Sequence, residues 1–242
     1  MLITIITMFF AGLFAAPLDS VFSTVLLTCT ILIGVFTTFA VSKVLSMTIL
    51  KGIPSSFALE LPPYRRPQVG KVIVRSIFDR TLFVLGRAVS VAAPAGLIIW
   101  LMSNIMIGDI SLLSRCSAFL DPFARLIGLD GVILMAFILG FPANEIVIPI
   151  IIMSYLCEGS IMDLASIEEL RTLLINNGWT WLTAICTMLF SLMHFPCGTT
   201  LWTIKKETNS LKWTAVSFIV PTVTGILVCF IVTTVCRSFG LV

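Results

Sequence analysis

The chain has 242 residues, 58% of them hydrophobic and only 11% charged, with a formal net charge of +3. A soluble domain carries nearer a quarter charged residues, and so small a positive surplus is no nucleic-acid footprint. Apolar runs fall at about 2–16, 21–42, 82–107, 131–157, 180–204 and 214–236, and about 20 residues cross a ~30 Å hydrocarbon core. The expected fold is an all-α polytopic integral membrane protein with about five to six apolar helical segments.

Residues 1–50 are expected to hold the first membrane helices. The opening MLITIITMFFAGLFAAPLD lacks the basic n-region of a signal peptide. It reads as a retained membrane segment, short as though the chain began inside a longer helix. Residues 51–81 form a basic connector with Lys51, Arg65, Arg66, Lys71, Arg75 and Arg80, and the positive-inside rule places it in the cytoplasm. Its PPYRRP start reads as extended or turn-like, and QVGKVIVRSIFDR as a short interfacial amphipathic helix.

The loops of 82–242 create a conflict. The linker at 108–130 is charge-balanced. The one at 158–179 is acidic (Glu158, Asp163, Glu168 and Glu169 against Arg171), and 205–213 is basic (Lys205, Lys206 and Lys212 against Glu207). If every run crossed once, the basic loop would lie outside. A broken or re-entrant helix at 131–157 restores positive-inside. Within it, GFPANEIVIPIIIMSY at 140–155 carries two helix breakers, Pro142 and Pro149, around Asn144 and Glu145. Unpaired backbone at membrane depth survives only packed in protein or lining a polar cavity, and transporters build midplane ion sites from such breaks. A carboxylate at a helix centre costs roughly 2.5–3.5 kcal/mol, if Glu resembles Asp. Glu145 therefore reads as functional, with an interfacial or structural pairing as the alternative.

A further break is expected at 194–200, where His194, the one histidine, precedes Pro196, Cys197, Gly198, Thr199 and Thr200. Glu145, His194 and Cys197 are candidate ligands for a divalent transition metal such as iron, although their spacing alone is no metal motif. Met135, Met153, Met188 and Met193 read as core filler before path lining. The seven cysteines, at 29, 116, 157, 186, 197, 229 and 236, include no CxxC pair and imply no disulfide framework.

Three segments resemble the membrane half of the bacterial ferrous iron transport protein B family: ELPPYRRPQ at 60–68, GFPANEIVIPIIIMSY at 140–155 and HFPCGTTLWTIKKETNSLKWT at 194–214. The segment at 140–155 resembles that family's second Gate, and the one at 194–214 its Pro-Cys segment. The resemblance implies Fe(II) as transported ion, no permanently bound cofactor, and the bacterial inner membrane as location. It carries Cys197 over as the membrane cysteine and Glu145, with Asn144, as the Gate pair, while Glu60 and Tyr64 match a connector with a structural or coupling role. The chain has no GxxxxGK[ST] loop and lacks the first Gate with its Gly-Cys-Asn-x-Pro segment. It is therefore expected to be a partial transporter without enzyme activity, partnered by an upstream membrane half and a GTPase domain, with a homo-oligomer as a further option. The competing readings are a permease for a nucleoside or other organic solute, and a non-transporting remnant or assembly subunit. Manganese and zinc stay open beside iron, because the ligand types tolerate all three.

Overall fold

The computed structural model describes residues 2–10, 16–50, 70, 83–108, 110–156 and 167–240. The basic connector, including Glu60 and Tyr64, lies outside the described residues apart from Gly70, as does 157–166. A short helix, α1 (Leu2–Ile5), continues as a π-turn over Ile6–Phe10. The long α2 (Ala16–Met47) and α3 (Phe83–Asn104) follow, then a two-residue ladder of β1 (Met106–Ile107) and β2 (Ile110–Ser111). Next come α4 (Leu112–Leu126), α5 (Gly131–Leu139), α6 (Val147–Leu156) and α7 (Ile167–Asn176), and finally α8 (Trp181–Met193), α9 (Gly198–Thr208) and α10 (Leu211–Ser238).

Among the described residues three stretches are long and apolar enough to cross a membrane: Leu18–Met47, Trp181–Thr208 and Leu211–Ser238. The bent pair of α4 and α5, at 109°, would make a fourth. The chain is thus a helical, multi-pass membrane protein. The first run is not among these stretches. Its described part is two short turns rather than a span, and Ile5, Ile6, Phe9 and Phe10 are buried in the core, with Phe9 6.4 Å from the Trp179 ring.

The run at 82–107 is the 22-residue helix α3, and the run at 131–157 is a hairpin. Asp130 caps α5, its Oδ1 accepting the Ile133 amide at 2.6 Å, while Asp121 Oδ1 accepts the Gly131 amide at 3.1 Å. The hydroxyl of Tyr155, near the end of α6, donates to Asp130 Oδ2 and accepts the Trp179 indole N–H at 2.7 Å. The start of α5 and the end of α6 are thereby tied together, so the two helices run antiparallel. With 9 and 10 residues each is about 14–15 Å long, half a hydrocarbon core.

The chain sorts into two ends. The open mouth of the hairpin shares one end with Trp179, with the start of α2 (Phe10 to Phe22, 6.1 Å) and with the end of α10, where the Arg237 guanidinium donates to the Arg125 carbonyl at 2.9 Å. At the other end Leu45 and Leu50 share a groove with Ile204 and Trp213, beside Lys205, Lys206 and Lys212. The most deeply buried side chains, among them Ile133, Phe137, Val147, Ile151, Met188 and Phe190, come from α5, α6 and α8. By contrast, α2 presents Phe36 and Phe39 at 79% and 71% exposure, as a lipid-facing helix does. Its hydroxyls turn inward: Thr24, Thr28, Thr30, Thr37, Thr38 and Ser46 each donate to the carbonyl four residues back.

Candidate functional site

The break after α5 is tighter than its sequence implies. The Gly140 amide bonds to the Ala136 carbonyl at 2.7 Å and the Ala143 amide to the Gly140 carbonyl at 3.0 Å. A Cβ on Gly140 would lie 2.4 Å from Val147 Cγ2 and 2.9 Å from the Ala136 carbonyl, so only glycine lets α6 start against the end of α5. Pro142 stands in this turn, and Asn144–Ile146 form one 3₁₀ turn leading into α6. Pro149 does not break a helix. It falls in the first turn of α6, where helical amides have no intrahelical acceptor and proline is tolerated. The break is therefore 140–146 rather than 140–150.

The break after α8 is likewise shorter than 194–200. α8 stops at Met193, residues 194–197 are extended or bent, and Gly198, Thr199 and Thr200 already belong to α9. Pro196 lies in the break, and Cys197 is the N-cap residue of α9. Its Sγ lies 3.1 Å from both the Thr199 and Thr200 hydroxyls. Either the thiol or the hydroxyls can donate in these contacts.

The two breaks are clasped. The Gly198 amide, the first of α9, donates to the Phe141 carbonyl in the other break at 2.8 Å. A Cβ on Gly198 would lie 3.0 Å from the Phe141 ring. Around the clasp a chain of rings runs through three elements: Phe137 to Phe190 at 4.9 Å, Phe137 to His194 at 5.0 Å, His194 to Phe195 at 5.1 Å, Phe195 to Phe218 at 5.0 Å and Phe141 to Phe195 at 5.8 Å. None of these phenylalanines stands out in the sequence. The only signal is spacing, since Phe137 and Phe141, and Phe190 and His194, stand four apart on helical ground. A cavity of about 780 Å³ between α2 and α10 reaches the clasp at Met193 and Pro196.

α5 and α8 end at the clasp while α6 and α9 begin beside it, so negative and positive helix-dipole ends meet there. Glu145 is exposed at the start of the 3₁₀ turn. Asn144 Oδ1 and His194 Nε2 are buried and have no hydrogen-bond partner among the described residues. Among the described residues, no three His, Cys, Asp or Glu side chains are close enough to hold a metal together. Glu145, His194 and Cys197 therefore stand along the two breaks rather than in one first coordination sphere. Met135, Met153, Met188 and Met193 are all buried and fill the core.

The chain matches the Gate family, described as nucleoside recognition, over residues 85–211, and the family of the ferrous iron transport protein B C terminus over residues 27–79. It is 31% identical over 210 residues to the Fe(2+) transporter FeoB of Staphylococcus aureus strain MSSA476, covering 82% of this chain and 30% of that protein. Identity to the Fe(2+) transporter FeoB of Synechocystis sp. is 30% over 196 residues, covering 80% of this chain and 30% of that protein. For the Leptospira biflexa protein of the same name it is 25% over 225 residues, covering 87% and 32%. The chain thus spans about a third of the length of the curated relatives it matches. No solved structure matches it. Both clasped breaks lie inside the Gate match, which alone covers over half of the sequence, and the chain belongs to the Gate family and to that of ferrous iron transport protein B, whose C-terminal portion it matches.

Proposed function

We propose that the chain is the second-Gate membrane portion of a ferrous iron transporter, acting in uptake across the bacterial inner membrane. The observation that carries this reading is the clasp: the Phe141 carbonyl accepting the Gly198 amide joins the two breaks that bear Asn144, Glu145, His194 and Cys197. Fe(II) is the cargo. Glu145 and Cys197 receive it partly dehydrated, with Asn144 and Thr199 lining the path, and weak multi-site coordination lets it leave again. Residues 1–50 supply the first membrane helices, 51–81 the cytoplasmic connector and 82–242 the Gate-like unit. An upstream membrane half and a GTPase domain are its partners, and the chain itself transports rather than catalyses.

The orientation follows from the two ends. Lys43, Lys205, Lys206 and Lys212 belong to one end and mark it cytoplasmic; the mouth of the hairpin then opens outward.

The test is Fe(II) uptake in cells lacking their own ferrous transporter. The chain is expressed alone and with the upstream half of a related transporter, with Glu145→Gln and Cys197→Ser variants. Uptake that requires the upstream half and is lost in both variants supports the reading. Uptake indifferent to Cys197→Ser removes the thiol from the path and favours an organic-solute permease. No Fe(II) uptake under either condition, with the protein inserted, refutes the iron reading.

A further inference from the structure

The cavity between α2 and α10, about 780 Å³ in volume, has no charged side chain among the described residues that line it. Four of its five hydroxyls, on Thr37, Thr38, Ser217 and Thr224, donate to the carbonyl four residues back in their own helices. The rest of the wall is mostly aliphatic, with Val35, Leu192 and Val220 among its residues. A dehydrated ion or a polar solute would give up its hydrogen bonds to water there and find almost no donors in return. Hydrocarbon loses nothing on entering.

The shape selects a lipid tail over a protein helix. Ile31 to Leu45, the stretch of α2 along the groove, is about 21 Å long at 1.5 Å per residue. The volume then leaves a mean cross-section of about 37 Å², whereas a helix about 10 Å across fills about 80 Å². The length is a little over half of a ~30 Å hydrocarbon core, the depth that one leaflet's chains reach. At its Leu45 end the groove meets Lys43, Lys205, Lys206 and Lys212. These four are exposed, lie within two positions of the lining residues Ser42, Ile204 and Trp213, and outnumber Glu207. Basic clusters beside grooves between membrane helices bind anionic headgroups. We propose that this groove holds an acyl chain of an anionic phospholipid, with the lipid phosphate on the lysine cluster. The far end of the chain rests against Met193 and Pro196, at the foot of the clasp. The inference goes beyond the transport reading and does not depend on it.

The full chain is reconstituted in phosphatidylcholine vesicles, and a nitroxide-bearing lipid, labelled on the acyl chain near the glycerol, is titrated in. The probe is either phosphatidylglycerol or phosphatidylcholine. Trp213 lines the groove, so the difference between wild type and Trp213→Phe isolates the quenching of that ring. Phosphatidylglycerol is expected to quench it at a mole fraction at least about fivefold lower than phosphatidylcholine, the preference that one well-placed lysine confers. The combined Lys205→Gln, Lys206→Gln and Lys212→Gln variant changes only exposed side chains and should abolish that preference. Val41→Phe with Val220→Phe fills the groove and should weaken quenching by both lipids. Inorganic phosphate should leave the quenching in place, because the tail holds the lipid. Equal quenching by the two lipids in wild type overturns the inference, and so does a preference that the lysine variant keeps. Displacement by inorganic phosphate reduces the site to a surface anion patch and overturns it too. Quenching that vanishes when the upstream membrane half is reconstituted alongside assigns the groove to that half instead.

Discussion

Tyr155→Phe removes one hydroxyl and leaves the ring in place. That hydroxyl is the middle link of a chain in which Trp179 donates to it at 2.7 Å and it donates to Asp130. The other Asp130 oxygen is already committed to the Ile133 amide at 2.6 Å. A hydrogen bond to a charged group is worth about 1.5–3 kcal/mol and a neutral one about 0.5–1.5, so the variant should lose about 2–4 kcal/mol. The lower figure applies if water reaches the half-buried carboxylate. The Trp179 indole N–H has no such relief, because the residue is 4% exposed. The measurement is unfolding free energy in mixed micelles titrated with SDS, followed by circular dichroism. Trp179→Phe and the double variant complete a cycle whose coupling should be about 0.5–1.5 kcal/mol. A Tyr155→Phe effect within about 0.5 kcal/mol of wild type, the range of ordinary surface changes, would refute the claim that this link ties the start of α5 to the end of α6.

Gly131→Ala should be worse tolerated, since the added Cβ would lie 2.0 Å from the Ser117 carbonyl and 2.9 Å from the Asp121 amide. Both obstacles are backbone, so α4 and α5 must part; a loss of about 3 kcal/mol or more, seen as a collapsed monodisperse yield, is expected. Phe137→Ala removes a fully buried ring from the aromatic chain and should cost about 3–5 kcal/mol in the same SDS titration. Glu169→Cys and Lys206→Cys, probed with a membrane-impermeant maleimide in intact cells and inverted vesicles, should label from opposite faces. Labelling of Lys206→Cys in intact cells and of Glu169→Cys only in inverted vesicles would remove the re-entrant hairpin, and labelling of both from one face would remove the span between them.

The hairpin is legible in the sequence because loop charge is a one-dimensional signal: basic 51–81 and 205–213 on one face demand an extra reversal, and the structure has one between α5 and α6. The break at Pro142 is legible for the same reason, as a local rule. Pro149 misleads because a proline's effect depends on its distance from the helix start, which here is set by the turn at Asn144–Ile146. The clasp is not legible at all. It joins Phe141 to Gly198, far apart in the chain, and phenylalanine in an apolar run is the same letter whether it faces lipid or another ring. Asp130 passes for loop charge, although an aspartate just before Gly131 and a long apolar run carries a cap signature. The candidate ligands Glu145, His194 and Cys197 are identifiable by residue type, whereas their distribution along two breaks depends on the packing of α5 against α8.

The inward-turned hydroxyls of α2 bear on how the molecule can move. Six threonine and serine side chains on this helix spend their donors on their own backbone. To its neighbours such a helix is smooth: Gly34 meets Leu192 at ordinary van der Waals distance, and the groove it shares with α10 is mostly aliphatic. Axial sliding of α2 past α8 and α10 exchanges one apolar contact for another without breaking any of these six bonds. The hairpin, by contrast, is tied at its mouth through Tyr155 and joined at its tip to Gly198. The fold thus separates a greased runner from a fixed block.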